Sequence, residues 1–211
     1  MNRRALLVTA AVLAAVTAPH ATAAVKKPKP LPPVCNLIKD DAGDARGVNG
    51  PNDSLDVLTA DVASGAKSVT AVIRVKAAPS ADDQNTAMGK LYTLSFTAGK
   101  DVTVNLQAKL TKLGGAKFSS NTGAASFKAG TATGSFTGTE IRITANPAEL
   151  PAANLKAGTV FSALKVADAY MLSSSSGIPE MEDSITGSSP SDSADGGKAT
   201  YTAGAKSCVT P

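Results

Sequence analysis

The 211-residue chain has one histidine, two cysteines and no tryptophan, and aromatic residues make up only 4% of it. The histidine, His20, lies in an N-terminal stretch that reads as a cleaved leader, so the mature protein is expected to carry no imidazole. That excludes Ser-His-Asp and Cys-His nucleophile systems and histidine-held zinc or haem. No G-x-S-x-G elbow and no glycine loop for phosphate occurs either. The eight aromatics, Tyr92, Phe96, Phe118, Phe127, Phe136, Phe161, Tyr170 and Tyr201, are expected in the core. No apolar run approaches the ~20 residues of a membrane-spanning helix, so no transmembrane segment is expected.

What the N-terminus does have is Met1-Asn2-Arg3-Arg4, an apolar run from Ala5 to Ala18, and Ala21-Thr22-Ala23. A basic start, a short apolar core and an A-x-A site make a secretory signal peptide. Residues 1–23 are therefore expected to be removed and the protein to be secreted; an uncleaved anchor is the alternative. Lys26, Lys27 and Lys29 follow in a Pro-rich stretch, 24–34, which reads as an extended spacer. Beyond the leader and the spacer lysines, the chain carries 16 basic and 17 acidic residues. The net charge of +4 is thus a property of the N-terminal end. No basic face for nucleic acid is expected on the domain.

Cys35 and Cys208 stand near the two ends of the mature chain. Export permits a disulfide, and a pair leaves no thiol over. A lipid-anchored Cys35 is the rival reading, but Pro32-Pro33-Val34 precedes it rather than a lipobox-like run.

Residues 35–211 alternate far more than they repeat with helical period. Val69, Ala71, Ile73 and Val75 interleave with polar residues, and Ser64-Gly65-Ala66 before them reads as a hairpin connection. Tyr92, Leu94 and Phe96 share one strand face, Val102 to Leu110 alternates again, and glycines punctuate the Phe-bearing segments from 114 to 138. Glu140–Thr144 and Val160–Leu172 read as further strands, with a short helical turn between 147 and 155 and a last strand around 199–202. The sum is a single all-β antiparallel sandwich, immunoglobulin-like or jelly-roll-like, of about eight to ten strands. Residues 173–198, rich in Ser, Gly, Asp and Pro and lacking aromatics, read as an acidic flexible loop.

Five carboxylates, Asp40, Asp41, Asp44, Asp53 and Asp56, fall within seventeen residues among Gly43, Gly47, Asn49, Gly50 and Asn52. Ca²⁺ takes six to eight such oxygens, so these residues are candidate metal ligands. Asp192 and Asp195, with Glu180, Glu182 and Asp183, form a second acidic stretch that a Cys35–Cys208 bridge would bring toward Asp40. Neither stretch has the EF-hand pattern. The competing reading is turn chemistry, since Asp, Asn and Gly are the usual turn formers, and Asp56 at a strand start would then bond loop amides. Paired carboxylates can hydrolyse glycosides, but nothing in the sequence sets one in an apolar pocket. Ser64-Gly65-Ala66-Lys67 and Ser162-Ala163-Leu164-Lys165 match S-x-x-K in strand or hairpin context, not at the helix start that motif requires. Asn52-Asp53-Ser54 fits a glycosylation sequon.

Asp40-x-x-Gly43-Asp44, then Leu55-Asp56-Val57 and the Val69–Val75 strand, resembles the opening of the DOMON, carbohydrate-binding family 9 and glucodextranase C-terminal group of sandwiches. Ile141-Arg142-Ile143 running into Asn146-Pro147-x-x-Leu150 is similar to their late strand and turn. The resemblance covers roughly residues 40 to 172 and implies a two-sheet sandwich, often with Ca²⁺ in the opening loop, serving sugar or haem binding. Two departures bear on the ligand. DOMON haem sites use His and Met, and sugar-binding members stack on Trp, which this chain lacks. The expectation is a secreted, non-catalytic module, Ca²⁺ as its one candidate cofactor, with an extracellular protein or polysaccharide as partner. The alternatives are a structural or interaction protein without metal and, third, a secreted hydrolase.

Overall fold

The structure, a computed structural model, describes residues 33–83, 85, 88–171 and 188–211. The leader, residues 24–32 of the spacer, and Glu180, Glu182 and Asp183 lie outside them. The described residues form an antiparallel β-sandwich. One sheet runs in the order β1 (Ile38–Lys39), β4 (Val57–Ser64), β5 (Val69–Val75), β10 (Glu140–Ala145), β9 (Thr133–Thr137). The other runs β12 (Ser188–Asp195), β11 (Val160–Met171), β6 (Gly89–Ala98), β7 (Val102–Thr111), β8 (Gly115–Thr122), with β13 (Tyr201–Thr202) also paired to β11. A small hairpin of β2 (Arg46–Gly47) and β3 (Gly50–Pro51) stands apart. Among the described residues nine strands have five residues or more, which matches the expected class and size.

The alternating residues meet between the sheets because a period of two sends every second side chain to one face. Val69, Ala71 and Ile73 of β5 and Ile141 and Ile143 of β10 face Tyr92, Leu94 and Phe96 of β6 and Val104 and Leu106 of β7, all buried. Phe161 stacks on Phe96 at 4.3 Å between ring centres and meets Tyr201 at 5.5 Å, so these aromatics are core, as expected. Arg74 and Asp61 pair at 2.8 Å on the opposite face of the five-stranded sheet, and Asp61 there is almost wholly buried. Cys35 and Cys208 form a disulfide, Cα atoms 5.3 Å apart.

Four features depart from the sequence reading. Val34, placed in the spacer, already belongs to the fold: its N–H donates to Lys206 O and its carbonyl accepts from Cys208 N. The helical turn is two consecutive 3-10 turns, at Pro147–Glu149 and Pro151–Ala153. Residues 188–195 of the expected flexible loop form strand β12, paired along β11 with a register shift between Asp168 and Ala169. Pro190 and the serines hid it, because an edge strand tolerates a proline that a central one would not. Finally, the outward face of β7 is covered as well. Asn105, Gln107 and Lys109 are buried there, beneath the 123–130 segment, and Lys109 Nζ lies 4.5 Å from the Phe127 ring centre.

Candidate metal centre

The acidic residues gather where β1, β4, β11 and β12 end or meet. Asp40 follows β1, and its N–H donates to Leu58 O at 3.1 Å, which starts the turn beside β4. Gly43 has φ of 101°, a left-handed conformation that glycine adopts without steric cost. Its N–H donates to Asp56 Oδ2 at 2.7 Å. Asp56, just before β4, thus bonds a loop amide, as one of the two readings anticipated, and it carries Asp44 round toward the second sheet.

From that second sheet come two more acids. Asp168 lies in phase with Leu164 and Val166 of β11, so it points inward with them, and only 3% of its surface is exposed. Asp192 is its register partner on β12. Asp192 Oδ2 accepts the Val57 N–H at 2.9 Å, so one carboxylate spans both sheets. Asp40, Asp44 and Asp192 each offer an oxygen within 4.8 Å of the others. Ligand oxygens on a single Ca²⁺, bound at 2.3–2.6 Å, lie at most about 5 Å apart.

The electrostatics of the cluster are unbalanced. Asp40 Oδ2, Asp56 Oδ1 and both oxygens of Asp168 are buried without a hydrogen-bond partner among the described residues. Buried carboxylate oxygens are ordinarily paired, because leaving one unmet forfeits its hydration. Burial, then the Asp192 and Asp56 charges, pushes Asp168 up to about 9. Burial, then Asp40 and Asp44, pushes Asp192 up to about 6 against the Val57 N–H. Burial and the Asp44 charge also raise Asp40. Lys76 Nζ reaches Asp56 Oδ2 at 3.6 Å but sits closer, 2.9 Å, to Asp53. A hard cation held by Asp40, Asp44 and Asp192 would offset the charge gathered there, and carboxylates alone suit Ca²⁺ better than a transition metal.

Of the expected ligands, the structure brings Asp40, Asp44 and Asp192 together and sets Asp56 beside them. It does not bring in Asp41, which is exposed and gives only its N–H to Asp40 Oδ1. Asp53 turns outward to Lys76, whose ammonium supplies its counter-charge. Asp195 accepts from Gly197 N–H at 2.6 Å and closes a turn. Asn52 bonds Asp83, and Asn49 donates its N–H to Asn85 Oδ1. Asp168 was missed. Its signal was present, a carboxylate at an inward position of an apolar strand, and it places one carboxyl in apolar surroundings after all.

Beside the cluster, on the outer side of β6, β11 and β12, runs a groove of about 580 Å³. Leu91, Thr93, Lys165, Ala167 and Ala169 line it together with Asp44, Asp168 and Asp192. Among the described residues no helix is long and apolar enough to cross a membrane. Comparison of the chain with protein-family models, with curated proteins and with solved structures found no match.

Proposed function

We propose that the chain is a secreted, non-catalytic β-sandwich module whose two sheets are pinned by a Ca²⁺ ion, and that it binds an extracellular protein or polysaccharide in the groove beside that ion. One observation carries the metal: three carboxylates converge within 4.8 Å while Asp168 keeps two buried oxygens without a hydrogen-bond partner among the described residues. Asp40, Asp44 and Asp192 would hold the ion, with Asp168 and Asp56 supporting them. Three carboxylates supply at most six oxygens against the six to eight that Ca²⁺ takes. A hydroxyl or carbonyl of a partner in the groove can complete the shell. The disulfide agrees with an oxidising, extracellular setting.

Calorimetric titration of the disulfide-bonded protein with Ca²⁺ tests the metal. Saturable binding with proton release, abolished in Asp44→Ala, supports it, and an absence of heat at millimolar Ca²⁺ refutes it. Retention on immobilised polysaccharides, with Ca²⁺ and then with chelator, tests the partner.

A second reading, a hydrolase, gains support from Asp168. A buried acid beside an ionisable one is the arrangement that general acid catalysis uses. Turnover of a glycoside or ester that disappears in Asp168→Asn would select it over the module.

A further inference from the structure

A second polar cluster lies away from the acidic centre, where the loop leading into β4 meets the start of β6. Lys90, the second residue of β6, has only 1% of its side chain exposed. Its Nζ donates to Asp83 Oδ2 at 3.0 Å and to Ser80 O at 3.0 Å. The same Asp83 oxygen accepts the Asn52 carboxamide, Nδ2, at 3.1 Å. Asn52 is itself buried, and its carbonyl Oδ1 accepts from Ser54 N–H at 3.0 Å and from the Ser54 hydroxyl at 2.6 Å, a hydroxyl that also lies 3.1 Å from Asp83 Oδ2. Tyr92, wholly buried, fixes this loop by donating its hydroxyl to Ser54 O at 2.6 Å.

An ion pair alone explains why a lysine is tolerated here. It does not explain why a carboxamide is delivered to the same carboxylate oxygen with its carbonyl polarised by two donors. Amine, carboxamide, bridging carboxylate and carbonyl donors are the four parts of an acyl transfer from an amide to an amine. The geometry points to an intramolecular isopeptide bond between Lys90 Nζ and Asn52 Cγ, formed with Asp83 as proton carrier and Ser54 as the donor to the carbonyl oxygen.

The step balances without an outside reagent. Asp83 takes a proton from the Lys90 ammonium, and the freed amine attacks Asn52 Cγ. The carbonyl oxygen takes up negative charge, held by the Ser54 N–H and hydroxyl. Asp83 then passes its proton to Nδ2 and accepts one from the attacking nitrogen. The C–Nδ2 bond breaks as the carbonyl re-forms, ammonia leaves, and the proton left on Asp83 follows it to solvent. Burial lowers the Lys90 pKa while the Asp83 charge opposes that, and Asp83 itself is held at about 2, so the neutral amine is a minor form. The reaction happens once per chain and is not reversed after ammonia escapes, so a small neutral fraction is enough. Its product would tie the lead-in of the five-stranded sheet to a central strand of the six-stranded one, where the disulfide ties only the chain ends.

Mass spectrometry of the purified full chain, intact and after proteolysis, decides the matter. The expected result is a mass one ammonia below that of the disulfide-bonded sequence, with a branched peptide joining the Asn52 and Lys90 segments. Lys90→Arg and Asn52→Ala should restore the full mass, and Ser54→Ala should leave a mixture. An unmodified wild-type mass overturns the proposal, whether or not any variant folds. A loss of water in place of ammonia, with the branch on Asp83, overturns the assignment to Asn52.

Discussion

Replacing Asp192 by Asn separates the two effects that a metal centre has on stability. Asn keeps an oxygen for the Val57 N–H, now 2.9 Å from Asp192 Oδ2, so the link between the sheets survives. What is removed is a negative charge that the fold holds near Asp40 and Asp44, where burial and those neighbours raise its pKa to about 6. Above that pH the charge is a burden on the metal-free protein. The shift from 3.8 corresponds to a few kcal/mol at face value, and solvent screening at this half-exposed group reduces it to about 1 kcal/mol. In chelator at pH 8, Asp192→Asn should therefore melt higher than wild type, by about 2–4 °C for a domain of this size. With Ca²⁺ the order should reverse. Ion at a hundredfold over its dissociation constant adds about 2.7 kcal/mol to wild type, and binding weakened a hundredfold leaves the variant only about 0.4. Thermal unfolding followed by circular dichroism, with each protein in Ca²⁺ and in chelator, gives all four values. A variant that melts lower than wild type in chelator and keeps the full Ca²⁺ shift refutes the reasoning, because Asp192 would then be a structural acceptor and nothing more.

The pH dependence of the metal-free protein should run opposite to the usual rise of stability with deprotonating carboxylates. Asp168 and Asp192 have folded pKa values raised from 3.8 to about 9 and about 6, so the folded state holds more protons across that window. Stability should be full near pH 4 and decline as pH rises toward 9; denaturant titrations in chelator measure it, and a flat or rising profile contradicts it. Ca²⁺ affinity should rise over the same range, since its ligands must be deprotonated. Away from the centre, Arg74→Ala leaves the buried Asp61 carboxylate with Leu37 N–H but without its cation. The expected cost is about 3 kcal/mol, read from urea midpoints, and less than 1 kcal/mol would mean that water replaces the guanidinium.

The fold was legible where strands bury one face only. In β6 from Lys90 onward and in β10 the buried residues recur at every second position, and that period admits no helix. Strand β12 was not legible, since Ser-Ser-Pro-Ser-Asp-Ser-Ala-Asp has the composition of a loop and is held by pairing to β11 rather than by its own apolar residues. The covered outer face of β7 escaped notice for a related reason. Asn105 and Gln107 read as solvent-facing, and only the tertiary return of the 123–130 segment buries them, with Asn105 Nδ2 bonded to Gly123 O at 3.0 Å.

Of the five acids of the candidate site, Asp40, Asp44, Asp56 and Asp192 were among the sequence candidates and Asp168 was not. Asp40, Asp44 and Asp56 stand close in sequence, among turn residues, and local density drew attention to them. Asp53 and Asp41 belong to the same run but face away, one to Lys76 and one to solvent. Sequence spacing cannot tell which way each carboxylate turns in a loop without strict periodicity. Asp192 was expected to approach Asp40 through the disulfide, but pairing of β12 with β11 positions it instead. Asp168 contributes the strongest electrostatic signal and had no acidic neighbour within ten residues to advertise it.

The proposed function stands on one divalent cation joining the two sheets at Asp40, Asp44 and Asp192. Anomalous diffraction from crystals grown in Ca²⁺ tests it most directly. A single strong peak is expected about 2.3–2.6 Å from an oxygen of each of these residues, lost in crystals of Asp44→Ala. Density at that position that behaves as water at saturating Ca²⁺, with no anomalous signal, would contradict it.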